Sequence, residues 1–396
     1  MEKSKNHLNN STFSILSLFS GGGFLDIGFI NQGFQIVEAV EIEPNFIRAY
    51  NYGIANYFKH SKNNFITQKL ISHHSITRPI DVSNESEQLD LGKTHSGISG
   101  LIGGPPCQDY SVGGKNAGIE GEKGRLIHSY LNLVKKVLPQ FLFFENVEGL
   151  YKVKRHRAAF NAFVEDLEAC GYVVFHDILN VLNYGYPQDR PRIALVAFKK
   201  EIVESLIAAG YKLEKNNELL KTGANENLVF KWPAPKYKDP KLLNWPQKRT
   251  FGLEYTDSEI TANRELCVVN AFVGLNANTP NQNEHFNPKS RRFALVDEGD
   301  TNRKSFKRLH RLKYSPTVAY GNNEVHLHPT EARRLTVREA LRLQTVPDEY
   351  VLPKEVSLTH KFKLISNGVP TAKAELVAKE IRRTLMIYNQ LGGHLE

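Results

Sequence analysis

The chain has 396 residues, 41% hydrophobic and 23% charged, a globular balance that excludes collagen-like, mucin-like and disordered classes and predicts two or three domains. Its 51 Lys and Arg against 42 Asp and Glu leave a net charge of +9, which favours polyanionic partners without bearing on the fold. The N-terminus lacks an apolar targeting core and no run approaches the roughly 18 apolar residues needed to span a bilayer, so the expectation is a cytoplasmic protein with no membrane partner.

From residue 13 onward, short apolar runs ending in Gly, Pro or an acid alternate with longer amphipathic stretches, the rhythm of βαβ units and a parallel sheet. Strands are predicted at 13–19, 34–41, 98–104, 141–147, 172–179 and 192–198. Helices are predicted at 125–138 and at 159–171, the second ended by Gly171. The rhythm breaks near residue 200. Residues 215–325 are rich in Asn, Pro, Lys and aromatics, which predicts a second, less regular domain. Within it, His285 to Lys313 holds nine Lys or Arg against three acids, among them Lys304, Arg308 and Arg311, and reads as a phosphate-facing segment. Helical spacing returns at 336–344 and 372–391, each opened by a threonine suited to capping. These closing helices are expected to pack back on the first domain.

Four constellations carry chemistry. In residues 18–29 a strand ends at Phe19, three glycines follow and a helix begins near Leu25, so bare backbone can approach a ligand. Gly21, Gly23 and Gly28 do not have dinucleotide-enzyme spacing, which disfavours a nicotinamide oxidoreductase. Glu41 closes the next strand, where doubly wound folds place an acid on ribose hydroxyls, and Asp81 is expected to end a third strand similarly. In residues 102–115, Gly-Gly-Pro-Pro places Cys107 on a rigid turn at a strand's carboxyl end, and the glycines that follow predict a mobile loop. Cys170 and Cys267 read as inert small hydrophobes, and the three cysteines have no CxxC spacing, so neither a disulfide framework nor a metal site is expected. Residues 143–150 deliver Glu145 and Asn146 from an apolar strand, which favours a protonated carboxyl. Arg190 and Arg192 have period-2 spacing at a strand start and so share a face.

The ordered series FSGGGFLDIGF, Glu41, Asp81, GGPPCQDYS, ENV, QDRPR, residues 333–348 and SNGVP resembles the DNA cytosine-5 methyltransferases of bacterial restriction-modification systems over nearly the whole chain. Three residues, in two places, depart from that pattern. Ser366-Asn367-Gly368 stands where Gly-Asn-Ala or Gly-Asn-Ser is usual, and Phe24 where a glycine is common.

The resemblance implies a doubly wound, mostly parallel α/β sheet of the class I methyltransferase type, with a smaller irregular DNA target recognition domain. Its divisions would be 1–200 catalytic, 201–325 recognition and 326–396 returning to the catalytic domain. It implies S-adenosyl-L-methionine as cofactor, with Phe19 against it, Gly21 and Gly23 admitting its methionine part, Glu41 on the ribose, Asp81 on the adenine amino group and Asn367 closing the site. It implies that Cys107 adds to carbon 6 of a flipped-out cytosine, that Glu145 addresses ring N3, and that Arg192, with Arg190 behind it, donates to O2. Duplex DNA is the implied partner of a monomeric enzyme, and a cognate restriction endonuclease its genetic partner. A tRNA cytosine-5 methyltransferase shares the scaffold, but the insert before residue 325 argues against it. Intact Cys107, Glu145 and Arg192 argue against a silent DNA-binding regulator.

Overall fold

A computed structural model describes residues 12–62, 76, 78–106, 125–214, 227–254, 263–287, 291–320 and 325–393. Six strands form its central sheet: β1 (Phe13–Leu18), β2 (Phe34–Val40), β3 (Gly100–Gly103), β4 (Phe141–Val147), β5 (Tyr172–Asn180) and β6 (Pro191–Lys199), in the order β2-β1-β3-β4-β6-β5. Pairing is parallel from β2 through β4, whereas β6 runs antiparallel to both β4 and β5. The sheet is thus mostly parallel with one reversed strand. From β1 the chain steps to β2 on one side and later to β3 on the other, which makes the β1/β3 boundary a topological switch point.

Side-chain alternation explains why both faces are covered. Phe141 and Phe143 enter one apolar cluster, Leu142 and Phe144 the other. Helices α1 (Phe24–Asn31) and α2 (Pro44–His60) lie on the first face. On the second lie α3 (Glu85–Thr94), α4 (Arg125–Val137) and, beyond the short α5 (Gly149–Lys152), α6 (Lys154–Ala169). The last of these is followed by Gly171 at φ +85°, a left-handed position that glycine occupies without a Cβ penalty. Helix α7 (Lys200–Ala208) returns to the first face.

The segment after α7 builds little regular structure. Its described residues contribute a short helix, α8 (Val268–Ala271), and one strand, β7 (Lys307–Arg308), which pairs with β8 (His326–Leu327) in parallel. Trp245, Leu266, Cys267 and Leu312 form a small separate core with Leu182. Cys267 is buried, while Cys170 is only partly so. Val229, Phe230 and Trp232 belong instead to the main core, tied there by Thr384 Oγ1 donating to the Val229 carbonyl at 2.8 Å. Three helices close the chain: α9 (Val337–Leu343), α10 (Leu358–Asn367) and α11 (Thr371–Gln390). Helix α11 lies along α1, where Glu375 accepts from Asn31 and Gln32 at 3.1 and 3.2 Å. No helix among the described residues is long and apolar enough to cross a membrane.

Three expectations are corrected. Asp81 ends no strand: Pro79 supplies no amide for a ladder, and Asn84 already caps α3 by accepting from Ser86 and Glu87 amides, so the segment turns. Thr336 caps α9 in a capping box with Glu339, but the N-cap of α11 is Pro370, which puts Thr371 inside the helix with its buried hydroxyl unpartnered. Arg308 faces no phosphate. It is 0% exposed, and its guanidinium donates to the carbonyls of Val296, Phe293, His328 and Glu331 beneath the Phe251 ring. Arg311 is likewise engaged internally, by a bidentate pair with buried Glu298. The local charge run was partly spent on holding an irregular loop together, because so little secondary structure satisfies its carbonyls.

Candidate active site

Strand register builds the site. Leu18 pairs with Val40 and with Gly103, and Gly103 pairs with Phe144. The next residue in each strand direction, Phe19, Glu41, Gly104 and Glu145, therefore falls in one row at the carboxyl edge of the parallel strands. All four line a single cavity of about 1270 Å³ that straddles the switch point, with Gly21, Gly22, Asp81, Pro105, Pro106, Asn146, Arg190, Arg192 and Asn367.

After β1 the backbone makes a left-handed turn at Phe19 (φ +54°) and Gly21 (φ +55°), a conformation that costs a non-glycine residue about 1 kcal/mol or more. Gly22 needs its missing side chain for another reason: a Cβ there would lie 2.6 Å from Leu364 Cδ2. Gly23 does not line the cavity. A Cβ on it would meet Tyr50 Cε2 at 2.8 Å, so its role is to let the loop seat on α2. Beneath the loop Asp26 is fully buried, accepting from Ser17 Oγ at 2.6 Å and Tyr50 OH at 2.9 Å, and burial raises its pKa to about 6.

Glu41 is held by three amides. Its Oε1 accepts from Ile42 and Glu43 at 2.9 Å each, and its Oε2 from Gly21 at 2.8 Å. Burial raises its pKa, and these amides oppose the rise. Each carboxylate oxygen takes about two donors, so Oε2 retains capacity for a ligand hydroxyl. Asp81 lies alongside, its Oδ1 accepting from the Ser83 amide and hydroxyl at 2.8 and 2.7 Å. Its segment is docked on β2 through the Ile80 amide and the Glu41 carbonyl at 3.0 Å.

Beyond β3, Gly104, Pro105 and Pro106 turn across the cavity, and Asn146 Nδ2 holds the turn by donating to the Pro105 carbonyl at 3.3 Å. Cys107 and the glycine-rich stretch to residue 124 lie outside the described residues. Glu145, 7% exposed, accepts from Lys373 Nζ at 2.5 Å. Sequence reasoning missed Lys373. The available signal was a charged residue on the inward stripe of α11, four residues before Val377 and eight before Ile381, both buried.

Arg190 and Arg192 both reach the cavity but differ in employment. Arg190 is buried, donating from Nη1 to the Val318 carbonyl at 3.1 Å and from Nη2 to the Ser366 and Gly368 carbonyls at 2.9 Å each. Arg192, half-buried, donates to the Pro191 carbonyl at 2.8 Å. A second unforeseen link is the buried amide pair Gln188 and Gln344. Gln188 Nε2 donates to the Leu343 carbonyl and to Gln344 Oε1, and Gln344 Nε2 to the Ile365 carbonyl at 2.6 Å. Both networks fasten the C-terminal end of α10, whose last residue, Asn367, stands exposed at the cavity wall.

Comparison with known proteins agrees with this arrangement. The family model for C-5 cytosine-specific DNA methylases matches residues 13–383. The chain is similar to the type II methyltransferase M.NmeDI of Neisseria meningitidis serogroup C, at 39% identity over 96% of this chain and 85% of that protein. It is also similar to M.FnuDI of Fusobacterium nucleatum, at 29% identity over 94% of each. In fold it resembles a putative DNA modification methyltransferase encoded within an E. coli prophage, with a TM-score of 0.61 at 24% identity over 94% of this chain and 99% of that one. The chain therefore belongs to the C-5 cytosine-specific DNA methylase family and is a DNA cytosine-5 methyltransferase of the bacterial restriction-modification type.

Proposed function

We propose that the protein methylates carbon 5 of a flipped-out cytosine in a specific duplex sequence, using S-adenosyl-L-methionine and a covalent adduct through Cys107. The observation that carries this is the row of Phe19, Glu41, Gly104 and Glu145 on one cavity edge, continued by Arg192 on the neighbouring strand β6, where it pairs with Val147. The residues fit the cofactor. A bare Gly21-Gly22 backbone admits an unbranched tail, Glu41 has a carboxylate oxygen left for a ribose hydroxyl, Phe19 offers a ring, and Asp81 and Asn367 supply polar groups for the base and the closing wall. When bound, that cofactor supplies an electrophilic methyl group on its sulfonium.

The remaining steps belong to the protein. Carbon 5 of cytosine is a poor nucleophile, so the Cys107 thiolate adds to carbon 6 and makes carbon 5 enamine-like. Glu145 stabilises the charge that addition places on N3, and Arg192 donates to O2. Arg190, committed to three carbonyls, serves by fixing the loop at 366–368 beside the cavity. Loss of the carbon 5 proton and departure of the Cys107 sulfur complete the cycle.

Carbon 6 is inaccessible inside a stacked duplex, so the base is extruded at a cost of a few kcal/mol. Residues 201–325 read base edges, residues 1–200 and 326–396 form the catalytic part, and exposed cations such as Arg303 and Lys304 contact phosphate. We further infer a cytoplasmic monomer that protects host DNA from a cognate endonuclease.

Duplex containing 5-fluorocytosine, offered with cofactor, tests the chemistry. A stable adduct should form on Cys107 and be absent from Cys107→Ser. Methylation retained by that variant, or label transferred to tRNA and not to duplex DNA, overturns the reading.

A further inference from the structure

The carboxyl assigned to the base has two differently employed oxygens. Glu145 Oε1 accepts from Lys373 Nζ at 2.5 Å, and Lys373 is 1% exposed on the first turn of α11. Oε2 lies 3.8 Å from where a Cβ on Gly104 would stand, so it is turned to the Gly104–Pro106 bend that leads into Cys107. Among the described residues, the other charged groups near this carboxyl come from the β6 side. They are Arg190, bound to carbonyls of Val318, Ser366 and Gly368, and Arg192, bound to the Pro191 carbonyl.

Stability alone does not account for the lysine. It stands among Ala374, Val377, Ala378 and Ile381, all buried, where an apolar side chain would pack without desolvating a charge. Buried ion pairs add little over such packing. Burial lowers the Lys373 pKa to about 8; Glu145 opposes this, while Arg192 and Arg190 add to it.

We propose that Lys373 is a positioning residue for methyl transfer: its ammonium occupies Oε1, so that Oε2 alone meets the N3 edge of the extruded cytosine. This rests on the reading that Glu145 addresses N3. The proton shared between N3 and Oε2 is given up by a solvent hydronium, which leaves as water, and Lys373 keeps its own below about pH 8. A positive charge behind the carboxylate makes that shared proton easier to lose, so Lys373 also sets the alkaline limit of the reaction.

Single-turnover methylation of a duplex that the wild-type enzyme modifies, followed from about pH 6 to 10, tests this. Lys373→Gln keeps a donor and removes the charge. It should lower the plateau rate by about tenfold or more and move the alkaline limb up by about one pH unit. Lys373→Arg, whose charge does not titrate in this range, should restore the plateau rate. Where Lys373→Gln does not fold, Lys373→Met, whose stem suits the apolar stripe, gives the same readings. An unmoved limb in the neutral variants, or a plateau rate as low in Lys373→Arg, overturns the proposal. A Glu145→Gln variant as fast as wild type would instead remove the reading beneath it. Slow Glu145→Gln beside wild-type-like Lys373→Gln refutes the role of Lys373 alone.

Discussion

A Cβ on Gly368 would lie 2.3 Å from Cδ2 of Phe24. Two of the three residues at which the chain departs from the pattern it otherwise resembles therefore lie against each other. A ring at residue 24 fills the space that a small side chain at residue 368 would need. Gly368 has φ −65°, which any residue adopts, so the requirement for glycine is steric. The Phe24 ring is also held edge-on against Tyr350, with centroids 5.3 Å apart, and has no room to retreat.

It follows that Gly368→Ala should destabilise the protein by about 1–3 kcal/mol through overpacking and weaken cofactor binding. Phe24→Gly in the same chain should restore much of the loss. Thermal unfolding of both singles and the double checks this, since independent sites would simply add.

Asp26 should make stability fall with rising pH across an acidic window. Its pKa is 3.8 unperturbed and about 6 in the fold. Below the first value both states carry the proton. Between the two the unfolded chain releases it first, so the fold loses stability, up to about 3 kcal/mol once above the second value. Asp26→Asn should abolish that slope. Urea unfolding at about pH 4 and pH 7 in both proteins measures it.

Arg190 joins β6 to residues 318, 366 and 368 by three carbonyls that a lysine ammonium cannot span in the same plane. Arg190→Lys should cost about 2–4 kcal/mol and raise the cofactor KM. Arg192→Lys should instead lower the single-turnover rate with little change in unfolding temperature. Similar behaviour of the two variants would contradict the division of labour.

Within the basic segment, Arg308 and Lys304 are expected to behave oppositely. Lys304 is exposed at the cavity mouth, so Lys304→Gln should reduce the slope of log affinity against log salt for duplex DNA by about one. Arg308→Gln should leave that slope unchanged and lower the unfolding temperature, because its guanidinium satisfies four carbonyls, three of them in buried hydrogen bonds.

What was legible in the sequence is what short-range periodicity and turn chemistry encode. Phe141 to Phe144 alternate between two cores because successive side chains point to opposite faces, and the Gly, Pro and acidic residues that end each run mark the edge where the cavity forms. Strand direction is not in that signal, since a period of two reads the same both ways, and the reversal of β6 came only with the sheet. Nor did local pattern show which side chains would meet. Lys373 reaches Glu145 across 228 residues, Arg190 reaches Gly368 across 178, and the charge run at 285–313 looked uniform until Arg308 proved buried. Hydrogen bonds and ion pairs act over a few ångströms, so packing the closing helices against the sheet decides who is within reach.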